Sequence, residues 1–126
     1  MSAADTFRAA VEAGDIDAGI ATLADDVVFH SPVTFKPFEG RDATAYVLRA
    51  VFQVFQDFRY TDELRAGSVD ALVFRARVGD REVEGIDLVR ENADGKIDDF
   101  TVLVRPMSGL AALAEEMGRR LGAPPS

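Results

Sequence analysis

Two stretches of strict alternation, Leu72-Val73-Phe74-Arg75-Ala76-Arg77-Val78 and Val83-Glu84-Gly85-Ile86-Asp87-Leu88-Val89, stand on either side of Gly79-Asp80. A period of two is what a half-buried strand requires, and a Gly-Asp pair between two such runs predicts a hairpin turn. Leu72, Phe74, Ala76 and Val78 then share one face, as do Val83, Gly85, Asp87 and Val89. If those faces are interior, the second strand carries one acid into the core. An unpaired buried carboxylate is costly, so Asp87 needs a partner or a raised pKa. A neutral carboxylic acid in an apolar pocket can donate a hydrogen bond or a proton, which makes Asp87 the leading functional candidate. The alternatives are an acid paired to an arginine or to backbone, or one at a wet cavity mouth. Gly85, two residues earlier on the same face, is expected to leave open space beside it.

The flanking segments complete the pattern. Residues 4–13 read as a short helix with Phe7, Ala10 and Val11 at helical spacing, stopped by Gly14. Asp15 is placed to cap a second helix with Ile16, Ile20, Leu23 and Ala24 on its apolar side, closed by Asp25-Asp26. A strand is expected over 27–31, then an irregular connection over 32–40 carrying Phe35 and Phe38. Asp42 is a candidate cap for a helix over 43–56 with a wide apolar stripe. A further strand places Phe58, Tyr60, Asp62 and Leu64 on one face. After the turn at Asn92-Ala93-Asp94-Gly95-Lys96, a last strand over 97–104 puts Asp98, Phe100, Val102 and Val104 together, and residues 108–121 read as a final helix stopped at Gly122. Helices first and antiparallel strands after them predict an α+β class, one domain over 1–126, with a curved sheet wrapped on helices.

Composition narrows the function classes. The 126 residues are 48% hydrophobic and 29% charged, ordinary for a globular chain. No cysteine is present, which excludes thiolate catalysis and cysteine-ligated metals. One histidine, His30, with no cluster around it gives no metal signature. No glycine-rich phosphate loop occurs, so no cofactor is expected. The net charge of -8, without a basic patch, argues against nucleic acid as a partner. No apolar run reaches the ~18–20 residues of a membrane span, and a cytoplasmic location is the default expectation.

Several segments in order, Ala13-Gly14-Asp15-Ile16, Leu23-Ala24-Asp25-Asp26-Val27-Val28-Phe29, Ser31-Pro32, Phe38-Glu39-Gly40-Arg41-Asp42 and Asn92-Ala93-Asp94-Gly95-Lys96-Ile97, resemble the SnoaL-like branch of the nuclear transport factor 2-like superfamily. The resemblance runs from about Phe7 to Val104. It implies a cone: a strongly bent, mixed, mostly antiparallel sheet packed on N-terminal helices around an apolar cavity, with a C-terminal helix, in proteins that are often homodimers. Relatives include ketosteroid isomerase, polyketide cyclases and scytalone dehydratase. In the isomerase a tyrosine and a protonated aspartic acid stabilise an oxyanion while a second aspartate moves the proton. By resemblance those positions fall on Phe7, Asp87 and Ser31. Phenylalanine cannot donate, and an ordinary serine hydroxyl cannot abstract a carbon-bound proton unaided.

Three functional readings follow. In the first, an apolar small molecule binds in the cone, lined by Phe7, Ser31, Phe35, Phe38, Tyr60, Phe74, Gly85, Phe100 and Val102. In the second, the protein is a cofactor-free isomerase, cyclase or dehydratase with Asp87 as acid or oxyanion donor and His30 or Asp98 as base, Asp98 being expected close to Asp87. The third is a structural or regulatory homodimer whose cavity is filled by its own side chains. The opposite sheet face, with Arg59, Thr61, Arg75, Arg77, Glu84 and Arg90 among Val73, Ile86, Leu88 and Leu103, suits a dimer interface.

Overall fold

The computed structural model describes residues 2–121. Helix α1 (Ala3–Glu12) opens on a capping box: the Ser2 hydroxyl accepts from the Asp5 amide, and the Asp5 carboxylate accepts from the Ser2 amide, both at 3.1 Å. Arg65 also reaches Asp5, and these donors hold its carboxyl far below the usual range. Helix α2 (Ile16–Ile20) is capped by Asp15, whose side chain accepts from the Ala18 amide. Strand β1 (Leu23–His30) follows at once. Leu23 and Ala24, expected on the helix, belong to this strand. The Ile97 amide donates to the Thr22 carbonyl and Leu23 pairs with Ile97, so sheet pairing overrides their helical spacing.

The connection after His30 contains a short strand, β2 (Phe38–Glu39), paired antiparallel with β1. Two residues are too few to leave a periodic signal. Helix α3 (Arg41–Val54) starts one residue after Gly40, which takes the cap position at φ 94° with no side-chain cap. Asp42 therefore lies inside the first turn instead of capping it, where its charge still complements the helix dipole. Strands β3 (Gln56–Ala66), β4 (Val69–Val78), β5 (Arg81–Glu91) and β6 (Ile97–Arg105) form an antiparallel meander, and helix α4 (Met107–Leu121) closes the described chain. The stop expected at Gly122 lies outside the described residues.

The sheet order is β2-β1-β6-β5-β4-β3; β1 and β6 run parallel and every other pair antiparallel. Register shifts interrupt β1/β6, β3/β4 and β5/β6, and such bulges bend a sheet. The result is a curved, cone-shaped α+β fold with the helices packed on its concave side. The shift between Tyr60 and Asp62 reverses the alternation of β3. Tyr60 points inward beside Phe74, whereas Leu64, expected on the same face, is 61% exposed on the outside.

Two aromatic groups fill the interior. Phe7 meets Phe100 edge-on at 5.2 Å, with Phe29 tilted against Phe100 at 5.5 Å. Phe58 stacks on Phe74 at 4.9 Å and meets Tyr60 edge-on at 5.0 Å, joined by Phe52 and Phe55. The space beside Gly85 is occupied: a Cβ there would lie 2.3 Å from the Phe74 ring and 2.6 Å from the Leu103 carbonyl. The glycine makes room for a packed phenyl ring and not, as expected, for the cavity.

Candidate functional site

The two halves of the fold leave a cavity of about 490 Å³ between them. Phe29 of β1, Phe58 of β3, Phe100 and Val102 of β6 form the sheet side. Val47, Val51, Phe52 and Phe55 line the helical wall, following the turns of α3, and Leu113, Met117 and Leu121 come from α4. The connection between β1 and β2 supplies the rim with Ser31, Pro32, Val33, Thr34, Lys36 and Pro37, and Phe38 continues it. Within this mostly apolar lining Asp87 is the one carboxylate among the described residues.

Asp87 sits mid-strand on β5, opposite Leu72 on one neighbour and Val102 on the other. The predicted alternation holds: Val83, Gly85, Asp87 and Val89 are all buried. The Tyr60 hydroxyl donates to Asp87 Oδ2 at 2.9 Å. Among the described residues no fully enclosed side-chain polar atom lacks a partner. Among the described residues Oδ1 has no hydrogen-bond partner and is not fully enclosed, so it is reached from the cavity that Asp87 lines. Burial pushes the Asp87 carboxyl up to about 7, against the opposing pull of the Tyr60 hydrogen bond. Burial and the neighbouring carboxylate raise the Tyr60 phenol well above its ordinary value, so it remains a donor. Outside the cavity, the Arg8 guanidinium stands 5.6 Å from the centre of the Tyr60 ring and pairs with Glu12 and Glu63.

Of the other residues singled out in the sequence, Ser31, Phe38, Phe100 and Val102 line the cavity. Phe7 and Phe74 are buried in the aromatic packing around it and do not line it. Tyr60 reaches the cavity through Asp87 alone. Phe35 is 99% exposed and lines nothing, while its neighbours Thr34 and Lys36 border the cavity, Lys36 at its solvent-exposed mouth. His30 is displaced as well: Phe29 takes the inward direction of β1, so His30 points to the outer sheet face, its Nε2 3.2 Å from Asp99 Oδ2. Asp98 is not beside Asp87. It lies at the irregularity between the Arg90↔Asp99 and Glu91↔Ile97 pairs, four residues along β6 from Val102, or roughly 13 Å. Neither proposed base reaches the cavity. The Tyr60–Asp87 bond goes beyond what strand parity implies, since parity places each residue inward without pairing them; its signal is two polar groups on interior faces two strands apart.

Among the described residues no cluster of three metal-ligating side chains occurs. No described helix is long and apolar enough to cross a membrane.

Comparison with known proteins adds to this geometry. The SnoaL-like domain family matches residues 4–100. A solved structure from Pseudomonas aeruginosa, described as a steroid delta-isomerase, shares 45% identity with a TM-score of 0.90, covering 95% of this chain and 91% of the other. A protein from Silicibacter pomeroyi DSS-3, described as uncharacterized with a cystatin-like fold, shares 38% identity at a TM-score of 0.90 over 95% of this chain and 85% of its own. An NTF2-like protein of unknown function from Mesorhizobium loti shares the fold at 21% identity and a TM-score of 0.72, over 82% of this chain and 88% of its own. No curated protein matches. The family match over residues 4–100, with the fold and cavity in agreement, shows that this chain belongs to the SnoaL-like domain family.

Proposed function

We propose that this protein binds a lipophilic small molecule in the cone and that Asp87 orients it through a hydrogen bond to a ligand oxygen. The observation that carries this reading is the open Oδ1 of a buried carboxyl in an otherwise apolar cavity. With its pKa raised to about 7, Asp87 is largely protonated below neutrality and then donates to a carbonyl or hydroxyl oxygen. The volume also supports a ligand over a self-filled cone, since small-molecule sites span about 300–1,000 Å³.

A neutral aromatic ketone, 2-acetylnaphthalene, tests this by titration at two pH values. Affinity should fall about tenfold from pH 5.5 to 8.5 as the donor ionises, the worth of one buried hydrogen bond. Asp87→Asn, which keeps an N–H donor, should bind with no pH dependence. A flat profile in the unaltered protein rejects the reading.

A proton-transfer enzyme is the second reading, favoured by the 45% identity to a protein described as a steroid delta-isomerase. With no other carboxylate and no histidine in the lining among the described residues, Asp87 would move the proton itself: its ionised form takes a proton from carbon and returns it at the far end of the double bond. Isomerisation of a steroid double bond, followed by absorbance, should be lost in Asp87→Asn with the fold retained. Unchanged turnover would reject that mechanism. The outer sheet face is further proposed to pair two copies, with Leu64 and Leu103 exposed beside the ion pairs of Glu84 with Arg75 and Arg105.

A further inference from the structure

The cavity has a second polar pole at its mouth, opposite in chemistry to Asp87. The rim from Ser31 to Phe38 contains no acid, in a chain whose net charge is -8. Its one charged side chain, Lys36, lines the cavity, while its neighbour Phe35 is 99% exposed. Lys36 is itself exposed, so it stands at the mouth of the cavity, between the apolar walls and solvent.

No carboxylate pairs with Lys36 among the described residues, whereas most arginines are engaged, as Arg41 is with Asp25, Arg49 with Asp17 and Arg77 with Asp57. The nearest acid along the chain, Glu39, lies on β2 and does not line the cavity. The other polar rim groups serve the connection itself: the Ser31 hydroxyl accepts from the Val33 amide and the Thr34 hydroxyl donates to the Lys36 carbonyl. Pro32 and Pro37 stiffen the same segment. A cation beside low-dielectric walls attracts an anion more strongly than one in open water.

We propose, on the basis of the binding reading above, that the ligand is a lipophilic carboxylic acid. Its apolar body fills the cone, an oxygen at one end meets Asp87, and its carboxylate at the other end pairs with Lys36.

The test uses the full chain and two matched probes, 4′-hydroxybiphenyl-4-carboxylate and its methyl ester, measured by calorimetry at low and high salt. The carboxylate should bind about fivefold more tightly than the ester, as for a partly exposed ion pair, and the difference should shrink in salt. Lys36→Gln should bring the two within about twofold, and Lys36→Arg should retain the preference. Equal binding of both probes, or a preference that survives in Lys36→Gln, overturns the assignment while leaving the pocket reading intact. Failure of both probes to bind overturns the two together.

Discussion

Asp87 divides its two oxygens between structure and cavity: Oδ2 receives the Tyr60 hydroxyl and Oδ1 is reached from the cavity. This makes Tyr60 a positioning residue whose effect is measurable at Asp87. Tyr60→Phe removes the hydrogen bond that opposes the effect of burial, so the Asp87 pKa should move above 7, read by carbon NMR titration of the carboxyl. A lower value would contradict the role. The raised pKa also sets a stability trend. Between the ordinary 3.8 and about 7 the folded chain holds a proton that the unfolded chain has released, so stability attributable to this group is complete below about pH 4 and is lost as pH rises through 7. The rise corresponds to about 4 kcal/mol across that window. Asp87→Asn should flatten this part of the profile in urea unfolding at several pH values, and an unchanged slope would show that Asp87 is not its source. The place of Asp87 was legible in the sequence because its strand alternates without interruption. Its Tyr60 partner was not, because two interior polar residues do not announce their distance.

At the scale of elements, the strands were legible and their irregularities were not. Alternation identified β4 and β5 and their joining turn, whereas bulges in β3 and β6 left Leu64 outside and Asp98 away from the cavity. A bulge adds one residue without altering local composition, so parity counted along the chain fails beyond it. The rim was less legible still: Phe35 follows the path of an irregular connection, and hydrophobicity alone assigns it the wrong direction. Gly85 illustrates packing between neighbouring strands. Its Cβ would meet both a phenyl ring and a backbone carbonyl, neither able to withdraw cheaply. Gly85→Ala should cost about 2–3 kcal/mol in urea unfolding, with partial recovery when Phe74→Leu is added. A neutral Gly85→Ala would rule out that close approach.

For the whole molecule, the outer sheet face and the closure of the sheet carry separate consequences. If two copies pair through the outer face, Leu103→Glu should halve the mass seen by sedimentation equilibrium and leave probe binding in the cone intact. A monomer in the unaltered chain would remove that proposal. Closure has another effect, because β1 runs parallel to β6 and both of them, with α4, supply the cavity wall. A site built from segments near both ends of the chain does not exist until those ends have met. During synthesis no ligand can be captured before β6 emerges, and contacts so distant in sequence slow folding. Occupancy is then coupled to the integrity of the entire sheet: ligand at 100 times its Kd adds about 2.7 kcal/mol to global stability. In a cell, the supply of ligand would thus set how much of this protein survives, and abundance itself becomes a readout of what fills the cone.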